Sequence, residues 1–306
     1  LVLDLRNNGG GIVDQAVKVA EKFLPAGTLI LSQKGRTRID NRVWRSANST
    51  AETMPLVVLV NEDTASASEI VAGALQDNDR AMIVGDKTFG KGLVQSVLDL
   101  PGRTGLTLTT ARYLTPSGRS IQRDYSQIDL YDYFKHTETA AALAAPSIAM
   151  RTVTNRTVFG GDGITPDEKV KADEITALRA ALIDPIFFFA REVVSGRVIG
   201  LETNTTTPLN FGKHVTPGDL PSTESLTSAF LGFVKKQGTW KFSDRQLAAE
   251  AAFIKLRLRY NITIALFGVN AAQQVLTEDD PQVAKAVEAL PRAGQLAAKA
   301  TAMRKR

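Results

Sequence analysis

Ser66 and Lys91 are the residues of this sequence whose types and spacing most invite chemistry. A lysine is almost wholly protonated at neutral pH, and it serves as a base only where lost hydration disfavours its charge. Lys91 is flanked by Phe89, Gly90, Gly92 and Leu93, a setting expected to desolvate it. Lys87, between Asp86 and Thr88, is expected to be a solvated surface charge. A desolvated lysine deprotonates a serine, which is the Ser–Lys form of nucleophile activation. The composition leaves few competitors. There is no cysteine, so thiolate catalysis and disulfides are excluded, and His136 and His214 are the only histidines.

A catalytic serine must sit where its hydroxyl projects and where backbone amides converge on a developing oxyanion. A strand-to-helix junction supplies both, because a helix N-terminus has unpaired N–H groups and a positive dipole end. The apolar run Val57-Val58-Leu59-Val60, followed by Ser66-Ala67-Ser68-Glu69, reads as such a junction. Ser66-x-x-Glu69 also fits a capping box, in which serine has only a structural task, and the pattern alone leaves both readings open. Gly85, Gly90 and Lys91 match most of the phosphate-cradling pattern G-x-x-x-x-G-K-[ST]. Gly92 stands where serine or threonine should hold magnesium, and residues 93–98 read as a strand where a helix is required. Two physical parts of a nucleotide site are therefore missing.

The elements that must position these residues alternate in type. Residues 2–5, 28–32, 56–60 and 81–84 read as buried strands, and 94–98 and 106–113 as a strand pair. Val13, Ala16, Val17, Ala20 and Leu24 have helical spacing ending at Pro25, and a second helix opens at Ser66 and runs to about Gln76. The stretch between 32 and 56 is expected to be polar and exposed, and 123–157 to be a polar insertion. This order predicts an α/β core over 1–170. Beyond it the texture turns helical, with stripes at Ile175, Leu178, Leu182 and at Leu247, Ala251, Ile254, Leu258. A last helix has Asp280 as N-cap, Pro281 at its first position and Val283, Ala286, Val287, Leu290 on one face. Residues 171–306 are thus expected to form a mostly helical second domain.

The 306 residues fit two domains. With 43% hydrophobic and 23% charged residues, disordered and fibrous classes are excluded. No run approaches the ~18 apolar residues of a membrane helix. A net charge of +5 permits attraction to nucleic acid, but no reading motif accompanies it, so no nucleic-acid partner is expected. The opening Leu1-Val2-Leu3-Asp4-Leu5 lies inside an apolar strand, without initiating Met or signal peptide, and reads as a fragment lacking its N-terminal part.

Several motifs occur in an order that closely resembles the carboxyl-terminal processing (tail-specific) serine protease family. They are Leu3-Asp4-Leu5-Arg6-Asn7-Asn8-Gly9-Gly10-Gly11, then residues 61–70 around Ser66, then Phe89-Gly90-Lys91-Gly92 with Gln95. Ala111-Arg112-Tyr113, residues 115–122 and Gly163-Ile164-Thr165-Pro166-Asp167 follow. Lys91 lies twenty-five residues after Ser66, which agrees with the family's spacing. The resemblance covers roughly residues 1–170 and implies a Ser–Lys endopeptidase on a crotonase/ClpP-like core, without metal or cofactor. Ser66 would be the nucleophile, Lys91 its base and Gln95 the residue that orients the lysine. The backbone N–H of Ala67, with that of Gly10 or Gly11, would hold the oxyanion. Ser68 and Glu69 are expected to be structural capping residues, Arg6 a charge that braces the turn, and both histidines surface residues. Family substrates are proteins with exposed apolar C-terminal tails, usually bound by a PDZ domain that this chain lacks. The resemblance further implies an extracytoplasmic or periplasmic setting. The helical region lies outside the resemblance and would pack against the protease, mediate homo-oligomerisation or receive an adaptor, alternatives that the pattern leaves open. The rival reading is a non-catalytic module that binds peptide tails by strand addition.

Overall fold

The computed structural model describes residues 1–124, 148–201 and 215–304. Both histidines and residues 125–147 of the expected insertion lie outside the described residues. The chain divides into two compact units, Leu1–Ala172 with Gln282–Arg306, and Asp173–Pro281.

In the first unit, β1 (Val2–Asp4), β4 (Val57–Val60), β5 (Met82–Gly85) and β10 (Glu168–Lys169) form a parallel sheet in the order β1-β4-β5-β10. All four residues of β4 are buried, as a strand covered on both faces requires. Alternate residues supply the two faces. Val58, Val60 and Ile83 pack with α1 (Val13–Glu21) and α2 (Ala67–Asp77), whereas Val57, Leu59 and Val84 pack with Ala286, Ala289 and Ala293 of the last helix, α8 (Pro281–Arg304). Alanine at those three positions lets the helix backbone approach the valine-rich sheet. The range 171–306 is therefore divided, and its last helix joins the first unit. Val287, expected on the buried face of that helix, is 54% exposed.

A second sheet is antiparallel, in the order β3-β2-β7-β6. It contains β2 (Leu29–Gly35), β3 (Arg42–Arg45), β6 (Leu93–Leu100) and β7 (Thr104–Leu114). β3 lies within the stretch expected to be polar and exposed, and three of its four residues are exposed. It carries polar residues because it is an edge strand, and β2 supplies its pairing partner. Two short strands, β8 (Ile148–Arg151) and β9 (Thr157–Gly160), pair as a hairpin at the end of the expected insertion.

The second unit is helical, with α3 (Ala177–Val194), α4 (Thr223–Gln237), α5 (Asp244–Ala249), α6 (Ala251–Phe267) and α7 (Val269–Glu278). Thr176, Ser222 and Ser243 cap helix starts by accepting from a backbone N–H three residues on. Leu182, Phe189, Phe230, Ile254 and Leu258 share one core. Ile175 lies before α3 and is exposed. Among the described residues no helix is long and apolar enough to cross a membrane.

Candidate active site

The chain leaves β4 at Val60 and turns through residues 61–65 into α2, whose N-cap is Ser66. Thr64, fully buried, fastens this turn. Its hydroxyl donates to Leu5 O at 2.8 Å and accepts from Asn61 N–H, while its carbonyl accepts from Phe89 N–H. Ser66 has φ 56° and ψ −115°, a region that costs a non-glycine residue about 1–3 kcal/mol. Such strain persists only where surrounding bonds over-determine the backbone. Ser66 and Glu69 stand as a capping box, with the Ser66 N–H donating to Glu69 Oε2. The Ala67 N–H, an orphan of the helix start, has no intramolecular partner among the described residues.

The glycine turn is stitched to this junction. Ala65 N–H donates to Asn8 O at 3.0 Å, and Asn7 and Asn61 exchange two hydrogen bonds of 2.8 Å. Gly10, at φ 90°, comes so close that a Cβ there would meet Ala65 O and Ala67 N at 2.6 Å. A Cβ on Gly11 would meet nothing within 4 Å. The Gly10 N–H donates to Asn8 Oδ1 at 3.0 Å, whereas the Gly11 N–H has no partner among the described residues. Arg6 braces the turn through both Asp4 oxygens and donates to Gln282 Oε1 at 2.9 Å.

Glu69 joins the junction to the loop of Lys91. Its Oε2 accepts from the N–H groups of Ser66 at 2.9 Å and of Lys91 at 2.8 Å. Its Oε1 accepts from Gly90 N–H at 2.8 Å and from the Thr88 hydroxyl. The side chain is fully buried, and burial raises its pKa above the ordinary 4.5 while the four hydrogen bonds oppose that rise. The sequence showed only a capping residue here, because three of the four donors come from segments remote from the helix start. Behind the loop, Ile164 N–H donates to the Thr88 hydroxyl at 2.7 Å, and Arg123 N–H donates to Gly90 O at 2.9 Å. Gly92 N–H donates to Gln122 Oε1 at 2.9 Å. Arg119 and Asp77, both without solvent exposure, pair at 2.7 Å and hold the segment that carries Gln122.

Three side chains stand differently from the sequence expectation. The Lys91 side chain is exposed rather than desolvated, and its ammonium makes no hydrogen bond or ion pair with a described residue. Its neighbours Phe89 and Leu93 are only half-buried, so no apolar wall closes over it. Gln95 is also exposed, on β6, and makes no hydrogen bond to Lys91. A bulge between Val94 and Gln95 interrupts the β6–β7 register there. Lys87 is half-exposed and paired with Asp162 rather than simply solvated. The backbones of Ser66 and Lys91 are thus brought to one carboxylate oxygen, while their side chains are not hydrogen-bonded to each other.

Comparison with known proteins agrees with the motif reading. Residues 1–131 match the model of peptidase family S41. The chloroplastic C-terminal processing peptidase of Tetradesmus obliquus is 48% identical over 123 residues, 40% of this chain and 26% of that protein. The carboxyl-terminal-processing protease of Synechocystis sp. is 48% identical over 123 residues, 40% of this chain and 28% of that protein. That of Bartonella bacilliformis is 50% identical over 122 residues, with the same two shares. The matched segment spans about a quarter of the length of these relatives. Among solved structures, a photosystem II D1 C-terminal processing protease is 35% identical, over 56% of this chain and 34% of that one, with a TM-score of 0.40. The resemblance to carboxyl-terminal processing proteases holds over residues 1–131.

Proposed function

We propose that this chain carries the catalytic centre of a serine endopeptidase that acts on proteins with exposed apolar C-terminal tails in an extracytoplasmic compartment. The observation that carries the reading is the strained Ser66 beside an Ala67 N–H without a partner among the described residues, tied through Glu69 to the backbone of Lys91. Ser66 Oγ attacks the scissile carbonyl, and its proton passes to Lys91. The oxyanion accepts from Ala67 N–H and, since Asn8 occupies the Gly10 N–H, from Gly11 N–H. Lys91 returns the proton to the leaving amine as the acyl-enzyme forms. Water then attacks the ester, and Ser66 Oγ recovers a proton through the same lysine. For Lys91 to act so, a bound peptide must cover its ammonium and exclude water, which disfavours the charged form. Gln95 would then orient the amine.

Lys91, exposed and without a partner among the described residues, also favours a second reading, a tail-binding module without turnover. The deciding experiment is cleavage of an unfolded reporter with an apolar C-terminal tail by the full-length protein, beside Ser66→Ala and Lys91→Ala. Cleavage lost in both folded variants supports the dyad. Retained cleavage by either one overturns it, and binding without cleavage by wild type leaves the module.

A further inference from the structure

We infer that Gln122 is a positioning residue for Lys91: its side-chain amide fixes the peptide group that follows the lysine and so sets where the ammonium can reach. The inference rests on the protease reading and adds a residue to the machinery of that site. Lys91 is exposed, and its ammonium makes no hydrogen bond or ion pair with a described residue. With no side-chain bond to aim it, its direction follows from its backbone. That backbone lies between Gly90 and Gly92, and glycine is the residue that constrains a chain least. The loop must therefore be held by its surroundings. Glu69 Oε2 holds the peptide group before Lys91 through the Lys91 N–H at 2.8 Å, and the Arg123 N–H holds the same group through Gly90 O at 2.9 Å. The group after it, between Lys91 and Gly92, is held through the Gly92 N–H by Gln122 Oε1 at 2.9 Å. Two fixed peptide planes leave one position for the Cα between them and one direction for its Cβ.

Gln122 is itself fixed for this task. Its Nε2 donates to Arg123 O at 2.7 Å, which turns Oε1 toward Gly92. Backbone bonds hold its segment from the other side: Gly161 N–H donates to Ser120 O at 2.7 Å and Gly163 N–H to Ile121 O at 2.9 Å. Ile121 is buried in the main core. The segment thus keeps its place without the Gln122 side chain, which is half-buried. The glycines beside Lys91 admit this close approach. A Cβ on Gly92 would meet Ile121 Cγ1 at 2.8 Å and Gln122 N at 3.0 Å, and one on Gly90 would meet Arg123 Cβ at 2.8 Å. Loop and segment are packed backbone to backbone, and the side chain that bridges them just after Lys91 is Gln122.

The test uses the full-length protein and its Gln122→Met variant, which keeps the length of the side chain and removes the acceptor. On the apolar-tailed reporter, kcat is expected to fall about tenfold or more with KM within about twofold of wild type, since the substrate contacts remain and the base is misplaced. An equal kcat overturns the inference, as does a loss of kcat accounted for by unfolded protein in circular dichroism. A readout independent of turnover comes from Ser66→Cys. The pH dependence of its alkylation by iodoacetamide, followed on the peptide that carries residue 66, gives the pKa of the thiol, and a nearby ammonium lowers that pKa. Lys91→Ala in this background should raise it by about half a unit, and Gln122→Met should raise it most of the way. That result supports the inference even where wild type cleaves nothing, which counts against the protease reading alone. A thiol pKa that Gln122→Met leaves in place overturns the inference, and one that Lys91→Ala leaves in place overturns it together with the dyad. Should Gln122→Met not fold, Gln122→Ala takes its place in both assays.

Discussion

Glu69 is the residue on which the site turns. Four donors converge on its two oxygens, and two of them are the backbone N–H groups of Ser66 and Lys91. Glutamine at this position keeps one acceptor oxygen and turns an NH2 toward two buried donors. Glu69→Gln is therefore expected to destabilise the first unit by on the order of 3 kcal/mol, measured by urea denaturation, and to reduce turnover further through a misplaced Ser66. Because desolvation raises the native pKa of Glu69, the native state keeps its proton where the unfolded chain has lost it. This group's contribution is full below about pH 4.5 and is lost as pH rises through the raised native value. The stability difference between wild type and Glu69→Gln should accordingly shrink as pH rises across that window. A difference that grows with pH would contradict it.

At the scale of elements, the site depends on how closely the glycine turn approaches the start of α2. The turn reaches Ala67 only because Gly10 has no Cβ and adopts φ 90°. Gly10→Ala would drive a methyl into Ala65 O, which accepts from the Ser68 N–H, and into Ala67 N, fixed in the first turn of α2. Its expected effect is a loss of kcat of a hundredfold or more, on the order of one lost oxyanion donor, with little change in KM. Gly11→Ala retains its N–H and meets open space, so it should lose far less. Steady-state kinetics of the two variants side by side distinguish a required close approach from mere turn flexibility.

For the whole molecule, α8 is the telling element. It returns from beyond the helical unit to cover the face of the parallel sheet opposite α1 and α2. Its polar contacts reinforce the apolar ones. Arg292 pairs with Glu168 at 2.6 Å, and Gln282 Nε2 donates to Val170 O at 2.6 Å. Ala289→Asp would bury a carboxylate against Val57, Leu59 and Val84, at an expected cost of about 3–5 kcal/mol. Hydrogen exchange should show the amides of β4 and β5 losing protection in that variant. Unchanged protection would mean that α8 is dispensable to the sheet.

What the sequence alone determined is local. The hydrophobic period, the Gly and Pro punctuation and the spacing of Ser66, Glu69 and Lys91 suffice to predict the strand-to-helix junction and the β6–β7 pair. They also predict the helical texture beyond residue 170. These depend on residues close by in the chain. The motifs carried the family resemblance for the same reason. What the tertiary structure decided depends on surfaces that meet across long separations. It decided that Gly10 rather than Gly11 touches Ala67, and that a capping glutamate gathers donors from residues 66, 88, 90 and 91. It decided that β3 forms because β2 offers an edge, and that the last helix belongs with the first unit. It also left Lys91 in water, because whether a lysine is desolvated depends on what folds over it and not on the residues beside it in the chain.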